Sequence, residues 1–441
     1  MSSVTSSFMQ LKRQFGLWTA VALLVGQVIA VGIFLTPAGM AKSVGSPFWL
    51  LFIWILLGAM TLSGALCYAE LAARFPEAGG SYVYLREIWG KPAAFLYGWM
   101  CLLVLDPGLT ATFAVGLTKY FVYLVPLSVN QQAIFAVSIV VIPGLINIFG
   151  ARLSVNLLKA LTILKIATLL FIILYGFLGG FGNWQNFTPF FAVPADAFGA
   201  LAGGIVGGFF AFAGWWEVTR MAGEVENPQK NLPKALTIGI IALTSIYILT
   251  SAVFFYLVAP GNVTNDETFA AQAGEVLFGK TGGAVFASIV IISVLGTLIA
   301  YLMVSPRVYY AMAKDGLFFK AFGRLHPRFG TPYLATIIQM SLASLLIRSG
   351  SFNQIISYFF FSVVLFIGLT TAGVFKIHNR EFSGYKTLLY PFTPIFFLAV
   401  TTLVLLLIAM NNPAGSFLGA SVVLLGLPVY YLILGRKRNK N

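Results

Sequence analysis

The sequence predicts an all-α membrane protein with twelve transmembrane helices, and three observations carry that prediction. Of 441 residues only 9% are charged while 59% are hydrophobic, and the mean hydropathy is +0.91. Soluble domains average roughly 25% charged and 45–50% apolar, so this chain lacks the polar surface of a water-soluble fold. Long runs carry no charge at all: residues 14–41, 43–69, 235–265 and 281–306 each exceed the ~20 apolar residues a helix needs to cross the hydrocarbon layer. The runs are continuously apolar, without the alternation of a membrane β-barrel, so the spans are helical.

Breaks at charges, prolines and Asn/Gly clusters divide the chain into spans 17–40, 48–70, 93–124, 132–149, 153–179, 200–221, 235–258, 284–310, 333–348, 353–375, 388–410 and 416–434. Span one follows Lys12-Arg13, as a signal peptide would, but its apolar run far exceeds the 7–15-residue core of a signal, and it reads as a retained helix. Span three holds Asp106-Pro107, span five Lys165, and span six a glycine-rich stretch. Spans eleven and twelve share the charge-free run 387–435, which Asn411-Asn412-Pro413 splits into two halves of a hairpin. The expected organisation is a tail at 1–16, five helices in 17–179, five in 200–375, two in 388–434 and a basic tail at 435–441.

The formal charge of +14 and pI of about 9.7 would suit a nucleic-acid binder, but the placement of the cations does not. With the N-terminus inside, 22 of the 27 Lys and Arg residues fall in the inside loops and tails or in the inside ends of the spans next to them. Only Lys42, Lys119, Lys280 and Arg348 fall outside, and Lys165 lies within a span. This is the positive-inside distribution, so both termini are expected in the cytoplasm and the protein in the cell membrane, passing it many times. Trp18, Trp49, Trp89, Trp99 and Trp184 lie near span ends, as interfacial anchors do.

Cys67 and Cys101 lie within spans and read as small buried apolar groups. His326 and His378 fall in inside loops. No Cys, His and carboxylate grouping has metal-ligand spacing, and no span holds a histidine for a catalytic triad. Neither a metal nor another cofactor nor an enzymatic activity is therefore expected.

Two spans carry glycine near their middles. Span one reads Gly26-Gln27-Val28-Ile29-Ala30-Val31-Gly32-Ile33-Phe34, ending in Thr36-Pro37, and span six runs from Gly203-Gly204 through Gly207-Gly208 to Gly214-Trp215-Trp216. They are five spans apart, the spacing of a five-plus-five inverted repeat. Interrupted helices in corresponding positions point to a transporter's substrate site. An unwound turn exposes N–H groups at one half-helix end and C=O groups at the other, which suit the carboxylate and ammonium of a zwitterion. Close packing between helices is the alternative use of such glycines.

Several runs then carry a family resemblance. Residues 67–84, Cys-Tyr-Ala-Glu-Leu-Ala-Ala-Arg-Phe-Pro-Glu-Ala-Gly-Gly-Ser-Tyr-Val-Tyr, resemble the signature closing the second helix in the amino acid–polyamine–organocation superfamily. Phe210-Ala211-Phe212-Ala213-Gly214-Trp215, with Glu224-Val225-Glu226-Asn227-Pro228 and Asn231-Leu232-Pro233 after it, resembles helix six and its exit loop in the L-type branch. Arg307-Val308-Tyr309-Tyr310-Ala311-Met312-Ala313-Lys314-Asp315-Gly316 and His326-Pro327-Arg328-Phe329-Gly330-Thr331-Pro332 resemble the exit of helix eight. The resemblance runs in order over nearly the whole chain. It implies a LeuT-type fold, a five-plus-five inverted repeat with two further C-terminal helices.

The resemblance also implies site residues. Gln27, Val28, Ala30, Val31 and Gly32 fall where the family meets the substrate carboxylate and backbone. Phe210, Ala211 and Ala213 fall where helix-six carbonyls take the ammonium, with Phe210 as an aromatic lid and Trp215 as a second gate. The chain departs from the family where the usual Gly-Ser-Gly of helix one is Ala30-Val31-Gly32. A hydroxyl is lost, and a β-branched residue enters a turn that favours backbone freedom.

Three charges lie inside the membrane. Lys165 is about 18–21 Å from either end of its span at 1.5 Å per residue, too deep to reach an interface. It matches a helix-five lysine of the L-type branch, which implies a fixed cation in place of bound sodium and Na⁺-independent transport. Asp106 precedes Pro107, which removes a helical hydrogen bond and frees a carbonyl; together they suit holding a cation, accepting a proton or pairing with Lys165. Glu217 follows the helix-six break, where Arg220 at i+3 neutralises it and Glu224 extends the ladder. The expected function is secondary transport of small neutral amino acids by alternating access, as an exchanger or coupled to protons, in a monomer or weak oligomer without nucleic-acid partners. Transport of other small amines and a transport-inactive amino acid sensor are the alternatives. Asn186-Phe187-Thr188 and Asn262-Val263-Thr264 are glycosylation sequons in outside loops.

Overall fold

The computed structural model describes residues 11–194, 196–259, 269–348 and 352–438. Its helices are, in order, α1 (Leu17–Val28), α2 (Val31–Val44), α3 (Pro47–Arg74), α4 (Ser81–Trp89), α5 (Lys91–Met100), α6 (Asp106–Leu124), α7 (Val129–Ile148), α8 (Ala151–Leu178), α9 (Ala197–Phe212), α10 (Pro228–Leu257), α11 (Phe269–Phe278), α12 (Gly282–Val304), α13 (Pro306–Lys314), α14 (Tyr333–Ile347), α15 (Phe352–Ala372), α16 (Val374–Ile377), α17 (Phe392–Asn411), α18 (Pro413–Leu424) and α19 (Gly426–Arg438). No β-strand occurs among the described residues, although an isolated bridge joins Phe15 to Val225.

Ten helical runs among the described residues are long and apolar enough to cross a membrane. Leu17–Val28 and Tyr333–Ile347 are apolar but shorter, so length alone supports ten of the twelve expected spans. Many large apolar side chains lie on the outside of the bundle. On α8, Ile163, Leu164, Phe171 and Leu174 are exposed while Leu158, Lys165, Leu169 and Ile172 are buried. Such a surface is stable against lipid and unstable against water.

The sequence reading missed two short helices, α4 and α11, because it sought only runs long enough to span. Helix α4 starts after Gly79 and Gly80, both at positive φ (123° and 55°), which fold the chain back beneath the end of α3. Three spans are also less regular than expected. A π-helical turn at Cys101–Leu105 joins α5 to α6, and Pro306 starts α13 one residue beyond α12. Beyond α9 the chain continues as a 3₁₀ helix over Trp215–Glu224.

At the end of the bundle that carries α4 and α13, polar contacts tie the segments together. Glu70 accepts from Thr387 N (2.9 Å), Thr387 Oγ1 (2.8 Å) and Arg74 Nε (3.0 Å), and lies 2.9 Å from His378 Nδ1. Arg86 Nη1 is 2.5 Å from Asp315 Oδ2, and Tyr82 donates to the same oxygen over 2.9 Å. Burial and the Asp315 carboxylate push the Tyr82 phenol well above its ordinary range, so it remains a donor. The N-terminal strap joins them: Gln14 N and Phe15 N donate to Glu224 O, and Glu226 N donates to Phe15 O.

Candidate functional site

Helix one breaks at Ile29 and Ala30, between α1 and α2, where Ile29 has ψ 85° and Ala30 has φ −126°, ψ −149°. Helix six breaks at Ala213 (ψ 146°) and Gly214 (φ +98°). Only glycine adopts the Gly214 conformation without strain. The two breaks touch. A Cβ on Gly32 would lie 2.8 Å from Ala211 Cα, so glycine is needed there for the approach of two backbones. Tyr247 Oη, from α10, reaches both, lying 3.0 Å from Val28 O and 2.9 Å from Ala211 O.

A small cavity lies at this contact, lined by Gln27, Val28, Ala30, Gly32, Phe210, Ala211, Ala213 and Gly214, with Leu109, Phe113 and Tyr301 from the neighbouring helices. Its free volume is about 20 Å³, close to what one water needs, so an amino acid enters only if the helices part. Gln27 is buried with neither amide atom hydrogen-bonded. Buried amides normally have partners, which makes this side chain a ready donor and acceptor for a solute. Seven of the eight expected contact residues therefore lie round one cavity; the side chain of the eighth, Val31, lies outside the described part of the chain. Phe210 packs edge-on against Phe360 at 5.8 Å. Trp215 is elsewhere: it packs against Tyr68 at 4.9 Å, Trp216 and Phe397 and does not line the cavity.

Lys165 meets the break in helix one from α8. Its ammonium lies 2.8 Å from Gly26 O, 2.9 Å from Ile29 O, 3.1 Å from Ser293 O and 3.2 Å from Thr297 Oγ1. Thr297 itself donates towards Gly26 O and Ile29 O at 2.9 and 3.0 Å. The carbonyls that the break strips of helical partners thus face the Lys165 side-chain nitrogen and a hydroxyl, which ties the break to α8 and α12.

Asp106 does not pair with Lys165. At the π-helical turn its carboxylate instead meets Arg220 Nη1 (2.9 Å) and Tyr301 Oη (2.7 Å), which donate to Oδ1, and Tyr309 Oη, which donates to Oδ2. Arg220 Nη2 reaches Tyr97 Oη at 3.1 Å and Cys101 Sγ at 3.2 Å, and Arg220 Nε lies 2.6 Å from Glu217 Oε2. The expected i+3 pair is therefore present. The expected extension to Glu224 is not, because Arg307 takes that carboxylate, with Nε 2.8 Å from Oε1. The sequence reading missed Leu109, Phe113, Tyr301 and Tyr309. In a chain with 18 tyrosines and 41 phenylalanines, a single aromatic in an apolar run carries no signal.

The profile of the amino acid permease family matches residues 15–434. The serine/threonine exchanger SteT of Bacillus subtilis is 29% identical over 438 residues, 98% of each chain. The human cystine/glutamate transporter is 29% identical over 432 residues, 96% of this chain and 86% of its own. The human Asc-type amino acid transporter 1 is 27% identical over 434 residues, 96% of this chain and 82% of its own. These relatives are named as transporters or exchangers rather than enzymes. The chain belongs to the amino acid permease family, in the L-type branch of the amino acid–polyamine–organocation superfamily.

Proposed function

We propose that the protein carries small neutral amino acids across the cell membrane by alternating access around the two breaks. The observation that supports this best is the cavity where Gly32 meets Ala211: opposed half-helix ends flank it, and Gln27, whose buried amide has no hydrogen-bond partner, lines it. Here the α2 N-terminus offers N–H groups to a carboxylate and the α9 C-terminus offers carbonyls to an ammonium. Gln27, Val28, Ala30, Val31, Gly32, Phe210, Ala211 and Ala213 form the substrate contacts, and Phe210 closes over them. Leu109 and Phe113 add an apolar wall, and no carboxylate lines the cavity, which favours neutral side chains over cationic ones. Trp215 acts on the gate through the packing of the 3₁₀ helix.

The five helices within 17–179 and the five within 200–375 serve as the repeats that move against each other. The matching breaks support this division. Both termini lie in the cytoplasm, by the cation distribution. Lys165 holds the helix-one carbonyls that a sodium ion would otherwise take, so transport is Na⁺-independent. SteT is named an exchanger, and exchange of internal for external amino acid is expected here alongside proton-coupled entry, with a monomer as the working unit.

Purified protein in liposomes, given a panel of tritiated amino acids with and without unlabelled amino acid inside, tests the reading. Uptake of serine, alanine or threonine that rises several-fold with internal amino acid is the expected result. Binding without uptake would identify a sensor instead, and uptake confined to non-amino-acid amines would overturn the substrate class.

A further inference from the structure

The cluster beside the cavity holds more negative charge than it can neutralise. Asp106 and Glu217 are both fully buried, as is Arg220 between them. The guanidinium carries one positive charge, and Asp106 already takes it in good geometry, with two tyrosine hydroxyls on the same carboxylate. Glu217 is served differently. Arg220 Nε lies 2.6 Å from Oε2 without meeting hydrogen-bond geometry, and the Trp216 side chain is the other group placed to donate. A buried carboxylate this poorly served, sharing one guanidinium with Asp106, favours its neutral form.

We infer that Glu217 binds and releases a proton during transport, making amino acid movement proton-coupled; this deepens the transport reading above and rests on it. The placement suits the task. Glu217 rides on the 3₁₀ helix Trp215–Glu224, three residues beyond Gly214, which lines the cavity. Tyr301 lines the same cavity and donates to the Asp106 oxygen that holds Arg220. Substrate in the cavity thus bears on Tyr301, Tyr301 on Asp106, and Asp106 on how much of the arginine's charge reaches Glu217. When the 3₁₀ helix shifts and water reaches the cluster, the carboxyl O–H breaks, the proton passes to that water, and the carboxylate takes the Arg220 Nε–H.

The other groups around Glu217 do not hold this proton in its place. Tyr68 faces it from α3, Tyr97 and Cys101 from α5 and the π-helical turn, Tyr301 from α12, and the Trp216 indole lies alongside. Tyr84 of α4 lies nearer Thr219, and Tyr309 of α13 is occupied by Asp106. Helix α1 has no ionisable residue, and Lys230 and Lys234 of α10 are exposed. Glu224 is paired with Arg307. None of these supplies a second cation to Glu217.

The test uses the full chain in liposomes that enclose a pH-sensitive dye, with a mixture of L-serine, L-alanine, L-threonine and L-leucine as the probe. Addition of the mixture should acidify the lumen, and an inside-alkaline gradient should speed tritiated uptake at least fivefold. Glu217→Gln should abolish both effects while tritiated counterflow persists, and Glu217→Asp should restore the acidification. Counterflow by the unmodified protein without acidification or gradient stimulation would overturn the proton site and leave amino acid transport standing. Acidification that persists in Glu217→Gln would also overturn it. Absence of every flux would instead overturn the transport reading, and this inference with it. The dye measurement on the unmodified protein decides against the proposal even where a variant does not fold.

Discussion

Lys165 is the residue on which the most geometry converges: four oxygens from α1 and α12 surround one ammonium, 2.8–3.2 Å away. Replacing it with methionine keeps the stem and removes the amine donors, leaving Gly26 O and Ile29 O only the Thr297 and Ser293 hydroxyls, at a cost of about 1–3 kcal/mol. Lys165→Met should lower the thermal unfolding midpoint by several degrees and cut uptake at least tenfold; equal uptake at equal protein would contradict the role. A charge in an apolar run is conspicuous, so Lys165, Asp106 and Glu217 were all legible in the sequence. Their partners were not. Nothing in the order of residues says that Asp106 meets Arg220, 114 positions away, rather than Lys165, because the choice depends on which face the π-helical turn presents. Gln27 was legible through its place in the helix-one run, whereas Tyr301 needed the packing of α12 against α6.

At the scale of the element, the two breaks set the behaviour of the site. Gly214 holds φ at +98°, and a side chain there costs about 1–3 kcal/mol. Gly32 is constrained differently, because a Cβ would strike the Ala211 backbone at 2.8 Å, and main chain cannot step aside as a flexible side chain can. Gly32→Ala should therefore reduce uptake at least tenfold and weaken substrate binding, while Gly39→Ala, whose Cβ would meet nothing within 4 Å, should leave both unchanged. Parallel uptake and binding titrations on the two variants check this. Restoring the family's pattern by Ala30→Gly with Val31→Ser should lower the KM for serine several-fold, since it returns a hydroxyl and backbone freedom to the turn; an unchanged or raised KM would show that this chain binds its substrate another way. Glycine clusters marked both breaks in the sequence. The 3₁₀ course of 215–224 had no such mark, since helical residue preferences do not separate a 3₁₀ from an α turn.

For the whole molecule, the distribution of cations sets the expected orientation. The Glu70, Arg86–Asp315 and Arg307–Glu224 contacts, with the strap at Gln14 and Phe15, gather at the end predicted to face the cytoplasm. Both native cysteines are buried, so Ser3→Cys and Asn439→Cys should react with a membrane-impermeant maleimide only after the cells are opened. Reaction in intact cells would reverse the orientation. Ten of the spans could be read from apolar length, and the side expected to face the cytoplasm rests on charge alone. The closing contacts could not be read, because they join segments about 80 to 320 residues apart. The sequon at Asn262 lies outside the described residues. Whether a neutral amino acid moves past Lys165 without sodium is decided by exchange in liposomes loaded with unlabelled serine. External tritiated serine should enter at the same rate in sodium and in choline medium. No entry in either medium, or entry that collapses in choline, would contradict the account.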